Sequence, residues 1–273
     1  MASQTVLLCP PTYFEVRDRK NPYMRAPIDR AKAHEQWKAV CDVYQKAGLH
    51  VALIPAVKDL EDMVFAANQV FVGIDEKLGK FIVPSEMRYP SRQREVPYYV
   101  DWFADRGYKV IGLDLRGEFL EGHGDLLWHP GRKHVWAGYG FRSSIGGVKR
   151  FASAMKEFRV SVTPLRLTDE HFYHLDTCLS PLSADAAILY PGAFSAEALD
   201  CLRRDWPRLH ELTRDQALKL TCNGVVAGNS YITSHVSDGF KRILESEGLC
   251  PVVVDISEFE KSGGGVFCMK NFI

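Results

Sequence analysis

The chain has 273 residues, of which 46% are hydrophobic and 25% are charged, so it is long and apolar enough to bury a full-sized core. Its 34 Lys and Arg residues balance its 34 Asp and Glu residues, which gives a formal net charge of zero. No overall electrostatic field therefore attracts nucleic acid or an anionic membrane, and we expect a small-molecule partner.

The cysteine pattern and the N-terminal sequence indicate a mature, cytoplasmic protein. Seven cysteines are spread over the sequence without a C-x-x-C pair, and the odd number leaves at least one of them unpaired. The first ten residues lack the basic and apolar regions of a signal peptide, and no apolar run approaches the ~20 residues that a membrane helix needs. We therefore expect a reducing, cytoplasmic location, no membrane partner, and one domain over residues 1–273.

A unit made of a helix, a glycine and a buried strand recurs along the chain. The first helix is predicted from Asp29, which can cap it, to the glycine at position 48, and the apolar strand 51–54 follows. A second helix is predicted from Ser91 to the glycine at position 107, with strand 109–113 after it. The two glycines are 59 positions apart, which indicates a fixed period.

A later segment repeats this order, with helix 238–248 before strand 251–254, and a looser copy has helix 144–157 before strand 159–162 without a glycine stop. Short strands at 69–72 and 80–83 fill the space between the first two copies, so the predicted unit is strand, strand, helix, strand. About five units of roughly 55 residues would use up the chain. The period favours an α/β fold with radial or solenoid repetition, and an irregular α/β sheet is the alternative.

Polar residues concentrate at four places, at strand ends or in loops that contain glycine. These places are residues 62–68, residues 120–125, residues 172–178 and the glycine-rich loop 263–269. Each has a structural explanation when taken singly. Asn68 can satisfy the backbone of a turn, and His174 and Asp176 on a strand would share one face and could bond to each other.

Taken together, the four places fit the chemistry of a cysteine nucleophile. Three glycines before Cys268 free the backbone to turn and to bring the thiol into a crowded pocket. A histidine can move protons, and carboxylates can bind a cationic substrate. A guanidinium suits two carboxylates, because its planar fork of N–H donors pairs with them and leaves its central carbon facing the nucleophile.

Two other kinds of site are weaker alternatives. A metal could find ligands among His123, Asp125, His129, His134, His171 and His174, but no H-E-x-x-H or paired C-x-x-C pattern is present. The glycines around His123 lack the third glycine and the helix of a dinucleotide-binding fingerprint. We therefore expect neither a metal nor a cofactor.

Seven motifs occur in a recognisable order, at residues 9–11, 21–24, 63–68, 120–125, 139–143, 172–177 and the loop before Cys268. In this order they resemble the motifs of the guanidino-group-modifying enzymes of the pentein superfamily, and most closely those of the arginine dihydrolases. The resemblance covers nearly the whole chain. It implies a five-bladed α/β propeller of pseudo-repeated units, with the active site on the central axis.

The resemblance also implies roles for individual residues. Cys268 would be the nucleophile, His174 the general acid and base, and Glu121 a carboxylate that contacts the guanidinium. Arg142 would bind the α-carboxylate of the substrate, although its sequence context matches the family only roughly. The predicted substrate-binding residues are Asn21, Asn68, Asp125, Arg142 and Asp176.

Asn68 points to one activity within the superfamily. Deiminases and dimethylarginine hydrolases usually carry an aspartate there, whereas the arginine dihydrolases carry asparagine, whose amide can also hold a neutral ureido group. We therefore expect a hydrolase that converts arginine into ornithine, carbon dioxide and two ammonia. The alternatives are an amidinotransferase, a deiminase or dimethylarginine hydrolase that gives citrulline, and a catalytically silent binding protein. A related guanidino substrate and a homo-oligomer stay open.

Overall fold

Fifteen strands form five three-stranded sheets in the computed structural model, which describes residues 4–77 and 79–273. In chain order the strands are β1 (Thr5–Leu8), β2 (His50–Leu53), β3 (Val70–Asp75), β4 (Gly79–Pro84), β5 (Lys109–Val110), β6 (Leu126–Trp128), β7 (His134–Tyr139), β8 (Ser161–Arg166), β9 (Leu179–Pro181), β10 (Ala186–Leu189), β11 (Arg208–Glu211), β12 (Val225–Ala227), β13 (Ser230–Thr233), β14 (Cys250–Val253) and β15 (Lys270–Phe272). We number the sheets in ring order: sheet 1 is β3-β4-β5, sheet 2 is β6-β7-β8, sheet 3 is β9-β10-β11, sheet 4 is β12-β13-β14 and sheet 5 is β15-β1-β2.

All five sheets have the same topology. The middle strand pairs antiparallel with the first strand and parallel with the third. A parallel pair needs a crossover connection, and a helix supplies it in each sheet. The α-helices of the described residues are α1 (Arg30–Lys46), α2 (Pro90–Gln93), α3 (Val96–Ala104), α4 (Gly122–Asp125), α5 (Ile145–Met155), α6 (Ala196–Asp205), α7 (Arg214–Ala217), α8 (Asp238–Ser246) and α9 (Ser257–Glu260). Helices α1, α3, α5, α6 and α8 are the crossovers, so the predicted unit of strand, strand, helix, strand occurs five times.

The two ends of the chain meet in sheet 5, where β15 pairs with β1 and Leu8 lies opposite Lys270. Five apolar clusters of described residues fill the spaces between neighbouring sheets. They join sheets 5 and 1 through Leu7 and Val72, sheets 1 and 2 through Phe71 and Val135, sheets 2 and 3 through Trp136 and Ala187, sheets 3 and 4 through Ile188 and Tyr231, and sheets 4 and 5 through Ile232 and Val6. Because every sheet packs against two others, the sheets form a closed ring. The predicted five-bladed α/β propeller is confirmed.

The first predicted helix is confirmed in its limits and its cap. The Asp29 side chain accepts a hydrogen bond from the backbone N–H of Lys32, which satisfies one of the free donors at the helix start. Helix α1 ends at Lys46, and Gly48 follows with a φ of +83°. A glycine adopts this left-handed conformation without strain, so the chain turns there into β2.

The second predicted helix is wrong in its first part. Ser91 lies in the one-turn helix α2, and the crossover helix α3 begins only at Val96. Pro97 explains the break, because a proline has no N–H to donate and its ring collides with the carbonyl four residues earlier. Proline is tolerated in the first turn of a helix, where Pro97 stands. The following strand is also shorter than predicted, since β5 covers only Lys109–Val110.

The first strand of each sheet is innermost. Residues of β3, β6, β9, β12 and β15 together line a cavity at one end of the ring axis, whereas the third strands are mostly exposed. The loops that lead into the innermost strands therefore converge at the other end of the axis. No helix of the described residues is long and apolar enough to cross a membrane. One domain over residues 1–273 stays a prediction.

Candidate active site

Buried polar side chains gather where the innermost strands begin. One such side chain stands just before each of these strands: Asn68 before β3, Asp125 before β6, Asp176 before β9, Asn223 before β12 and Cys268 before β15. The residues are far apart in the sequence, but the ring brings their loops to one end of its axis. A small pocket with a volume of about 20 Å³ opens there, and its walls include Lys20, Asn21, Asp62, Asn68, His174 and Cys268.

The glycine-rich loop holds Cys268 in place through contacts that only glycine permits. Gly263 has a φ of +80°, and a Cβ atom on Gly265 would lie 2.6 Å from Oδ1 of Asn223. Because Gly265 has no side chain, Asn223 can approach the loop and accept a hydrogen bond from the backbone N–H of Cys268 at 3.1 Å. The Nδ2 group of Asn223 donates to the carbonyl of Asp176 at 3.0 Å. Asn223 therefore fixes the cysteine and the aspartate relative to each other.

Cys268 is in contact with a carboxylate. Its Sγ donates to Oδ2 of Asp176 at 3.1 Å, and Oδ1 of Asp176 is buried without a partner among the described residues. Burial and the neighbouring Asp176 raise the pKa of the Cys268 thiol well above its usual range. Burial also raises the pKa of Asp176, to about 7, although the thiol and Asn223 oppose this shift. Both shifts favour a neutral thiol at Cys268.

His174 is oriented by Glu121. The imidazole Nε2 lies 2.8 Å from Oε2 of Glu121, and Nη1 of Arg142 donates to the same oxygen at 2.8 Å. The other carboxylate oxygen accepts from the backbone N–H of Arg88 at 2.9 Å. Burial opposes ionisation of Glu121, but the charge of Arg142 and the hydrogen bond from His174 hold its pKa well below the usual range. An ionised carboxylate only accepts, so Nε2 of His174 carries a proton.

Asn68 presents a donor to the site. Its Oδ1 accepts a hydrogen bond from Nη1 of Arg92 at 3.0 Å, which fixes the orientation of the amide. Its Nδ2 group is buried and has no partner among residues 4–77 and 79–273. A Cβ atom on Gly124 would lie 2.3 Å from this Nδ2 and 3.1 Å from the His174 ring, so the amide and the imidazole are neighbours. A free N–H donor therefore lies beside the histidine.

Arg92 is held by Glu95, and Lys20 by two acidic residues. Nη2 of Arg92 lies 3.0 Å from Oε2 of Glu95. Nζ of Lys20 lies 3.1 Å from Asp62 and 3.4 Å from Glu61. The Asp62 carboxylate still accepts no hydrogen bond from any described residue. The buried Oδ1 atoms of Asp62 and Asp176, which have no hydrogen-bond partner among the described residues, suit a ligand that brings N–H donors.

Five of the eight predicted site residues line the pocket, namely Asn21, Asn68, Arg142, His174 and Cys268. The other three lie behind them. Glu121 contacts His174 and Arg142, and Asp176 contacts Cys268. Asp125 accepts hydrogen bonds from the backbone N–H groups of Ser143 at 3.0 Å and Leu175 at 3.1 Å. Contact between Glu121 and a guanidinium stays a prediction, as do the other predicted roles.

The structural alternative for His174 and Asp176, a hydrogen bond between them, does not occur. The two residues do not lie on a strand, because a 3₁₀ helix covers Leu175–Thr177 and His174 precedes it. Over this turn the side chains diverge, so His174 reaches Glu121 and Asp176 reaches Cys268.

The sequence did not single out four residues of the site, Lys20, Arg92, Tyr173 and Asn223. Tyr173 stands in the motif at residues 172–177, and its hydroxyl donates to the carbonyl of Gly263 at 2.7 Å. Asn223 stands just before an apolar strand, as Asn68 and Cys268 do, and this position could have identified it. Lys20 and Arg92 carry no such signal.

The candidate metal ligands do not come together. No group of three or more His, Cys, Asp or Glu residues in the ranges 4–77 and 79–273 is arranged to hold a metal ion. His123 is buried and bonded through both ring nitrogens to the backbone of Val72 and Leu126. His129 stacks on Trp206 with ring centroids 4.9 Å apart.

Comparison with known proteins agrees with this geometry. The sequence model of the family described as N,N dimethylarginine dimethylhydrolase, eukaryotic, matches residues 11–272. The chain belongs to this family. Membership in the dimethylarginine dimethylhydrolase family confirms the prediction of a hydrolase that acts on a guanidino group. It also confirms the resemblance to the pentein enzymes.

Three relatives show how far the similarity extends. The chain is 34% identical to the bifunctional arginine dihydrolase/ornithine cyclodeaminase of Nostoc sp., over 96% of this chain but only 37% of that protein. It is 34% identical to the N(G),N(G)-dimethylarginine dimethylaminohydrolase of Mycobacterium tuberculosis, over 96% of this chain and 83% of that one. A solved cyanobacterial arginine dihydrolase domain, a cysteine-to-serine mutant bound to substrate, is 31% identical with a TM-score of 0.92, over 99% of this chain and 98% of that one.

Proposed function

We propose that the protein is an arginine dihydrolase, which converts L-arginine into ornithine, carbon dioxide and two molecules of ammonia. The observation that carries this proposal is the Asn68 amide, which Arg92 holds so that an unpaired N–H donor lies beside His174. An aspartate at this position would offer only acceptors when ionised. A donor instead suits the carbonyl oxygen of a ureido group, which is the product of the first hydrolysis and the substrate of the second.

The first hydrolysis begins with activation of Cys268. A guanidinium brings positive charge and N–H donors to the buried Oδ1 atoms of Asp62 and Asp176, which have no hydrogen-bond partner among the described residues. This charge lowers the pKa of the thiol, and Asp176, whose Oδ2 lies 3.1 Å from Sγ, is placed to accept its proton. The thiolate then forms a bond with the guanidinium carbon, and the imidazolium form of His174 gives a proton to one NH₂ group, whose C–N bond breaks to release ammonia.

Water completes the first cycle. The adduct on Cys268 is an S-alkylthiouronium, and His174, now without the proton that it gave to ammonia, takes a proton from water that attacks the same carbon. The C–S bond breaks, and citrulline and the thiol are released. Glu121 stabilises His174 when the imidazole is charged, since its carboxylate lies 2.8 Å from Nε2.

The second cycle acts on a neutral ureido group, which brings no charge to lower the pKa of the thiol, so Asp176 accepts the proton of Cys268 as the sulfur attacks the ureido carbon. Asn68 donates to the ureido oxygen, on which negative charge develops when Cys268 attacks the carbon. The second ammonia leaves, and water hydrolyses the carbamoyl adduct to a carbamate, which decomposes to ornithine and carbon dioxide. Overall, two water molecules are consumed for each arginine.

Hydrolysis of dimethylarginine is the second candidate, because the matching family model carries that description over residues 11–272. Here the first cycle would release dimethylamine and citrulline. The Asn68 donor has no evident use in a reaction that stops at citrulline, and this favours the dihydrolase. We also propose one domain over residues 1–273, a cytoplasmic location, and a small guanidino compound as the partner.

The decisive experiment is to incubate the purified protein with L-arginine labelled with ¹³C at the guanidino carbon, without cofactor or amine acceptor. Ammonia, citrulline, ornithine and labelled carbon dioxide are quantified by mass spectrometry. Ornithine with about two ammonia per arginine, as two rounds of cysteine-mediated hydrolysis require, supports the proposal. Citrulline as the end product identifies a deiminase. A parallel incubation with dimethylarginine identifies the second candidate if dimethylarginine is turned over and arginine is not.

A matched pair of variants shows whether the turnover belongs to this site. Cys268→Ala removes the proposed nucleophile, whereas Cys201→Ala removes a half-buried thiol that lies on α6, away from the pocket. Ornithine formation that survives in Cys268→Ala contradicts the mechanism.

A further inference from the structure

A second cavity lies on the propeller axis, at the end opposite Cys268. Its volume is about 320 Å³, and each of the five innermost strands contributes to its wall. Most of the wall is apolar and aromatic, with Leu127, Trp128, Val225, Phe267 and Phe272 among its residues. Cavities of this size and character commonly hold small organic molecules.

One basic side chain, that of Lys270, lies in this apolar wall. Lys270 is 2% exposed, and its Nζ lies 3.5 Å from the ring centroid of Phe267 and 4.4 Å from that of Phe272. It forms no hydrogen bond or ion pair with any residue in the ranges 4–77 and 79–273. Two other polar side chains of the wall are already engaged, because His123 bonds to the backbone through both ring nitrogens and Ser180 accepts from the hydroxyl of Tyr231.

An ammonium without an acceptor is unfavourable in such a place. Burial lowers the pKa of Lys270 to about 7, although the neighbouring charges of Asp176 and Cys268 oppose this shift. The faces of the Phe267 and Phe272 rings stabilise the positive charge of Lys270 only in part. An anion in the cavity would supply the missing acceptor, and the apolar walls would cover the remainder of an organic ligand.

We propose that this cavity binds a small organic carboxylate with an apolar body, whose carboxylate pairs with Lys270. The size of the cavity, its aromatic wall and the unpartnered amine fit this ligand class together. The site is distinct from the proposed active site, although it is close to it in the chain, since Lys270 is the second residue after Cys268. A ligand that holds Lys270 charged would also favour the anionic forms of Asp176 and Cys268.

Benzoate is a suitable probe, and benzamide is its uncharged match. Calorimetric titration of the full-length protein should show millimolar or tighter binding of benzoate, and benzamide should bind at least about tenfold more weakly because it cannot pair with the ammonium. Equal binding of the two compounds, or no binding of benzoate, overturns the proposal.

Three variants assign the site. Lys270→Met keeps the length of the side chain and removes its charge, and should weaken benzoate binding at least about tenfold. Val226→Trp starts from a half-buried wall position and should fill the cavity while leaving Lys270 intact. Arg142→Gln removes one of the cations of the other pocket and should leave benzoate binding unchanged. Thermal unfolding confirms that each variant is folded. Loss of binding in Arg142→Gln, or full binding in both folded cavity variants, contradicts the proposal.

Discussion

The Sγ atom of Cys268 lies 3.1 Å from Oδ2 of Asp176, and Asn223 bonds to the backbone of both residues. Cys268 is 3% exposed and Asp176 1%, so neither group can exchange its partner for bulk water. Burial and the nearby Asp176 carboxyl group therefore favour the neutral thiol of Cys268 when no cation is close. Entry of a cation changes this balance, which makes nucleophile activation depend on the substrate's charge.

The first prediction concerns the nucleophile. Cys268→Ala should lower kcat for arginine by on the order of 10⁴-fold or more, because the covalent route is lost as a whole. The melting temperature should stay near that of the wild type, since alanine fits the space of a buried thiol. Turnover assays and thermal unfolding measure the two effects, with Cys201→Ala as the control. A kcat within tenfold of the wild type would falsify the role of Cys268.

The second prediction concerns the number of hydrolysis steps. Asn68→Asp should shift the product from ornithine to citrulline, because the donor to the ureido oxygen is replaced by an acceptor. The new carboxylate can still pair with Arg92, whose Nη1 lies 3.0 Å from Oδ1 of Asn68, so the pocket should stay intact. The ratio of citrulline to ornithine is measured by mass spectrometry. If that ratio does not change, Asn68 does not govern the second step.

The third prediction concerns pH and stability. Burial raises the pKa of Asp176 to about 7, above the ~3.9 of an aspartate in an unfolded chain. Between these values the unfolded chain binds fewer protons, so this group lowers the stability as pH rises from about 4 to about 7, and no further above that. The Asp176→Asn variant lacks this loss of stability. Its free energy of unfolding should therefore rise relative to that of the wild type as the pH increases from about 4 to about 7.

Urea unfolding at several pH values measures this difference. One unit of pKa difference corresponds to about 1.4 kcal/mol, which sets the scale of the expected gain. Other buried carboxylates, such as Asp125, act equally in both proteins and cancel in the comparison. Asp200→Asn changes an exposed carboxylate and serves as the control. A stability difference that is constant over pH would show that Asp176 is not held protonated by burial.

The fourth prediction concerns the glycine-rich loop. Gly265→Ala should lower kcat by roughly 10- to 100-fold, because its Cβ would lie 2.6 Å from Oδ1 of Asn223 and would displace Cys268. Gly112→Ala is the matched control, since no atom lies within 4 Å of a Cβ at that position. Steady-state kinetics compare the two variants. Equal activity in both would show that the loop tolerates a shift of this size.

The fifth prediction concerns recognition of the α-carboxylate. Arg142→Gln should raise KM for arginine, because the guanidinium that would pair with the carboxylate is removed. It should also lower kcat, since Arg142 contacts Glu121 at 2.8 Å. Agmatine, which is arginine without its carboxylate, separates the two effects. If KM rises as much for agmatine as for arginine, Arg142 does not bind the carboxylate.

The repeating unit and most of the functional groups could be predicted from the sequence. Helix spacing, caps and glycine stops are local signals, so α1 and the order of elements could be predicted before any packing was known. Each functional motif is also a contiguous stretch of the chain, as around Asn68, Glu121, His174 and Cys268. The resemblance to the family rests on these motifs.

Which of the site side chains are in contact depends on the tertiary structure and could not be predicted from the sequence. Closure of the ring joins β15 to β1 and brings loops from all five sheets to the axis, and no local pattern encodes those distances. His174 and Asp176 therefore bond to other residues and not to each other. The contacts of Arg92 and Asn223 with site residues are seen only in the structure. The unpartnered Lys270 was likewise invisible in the sequence, because its burial depends on five strands meeting at the axis.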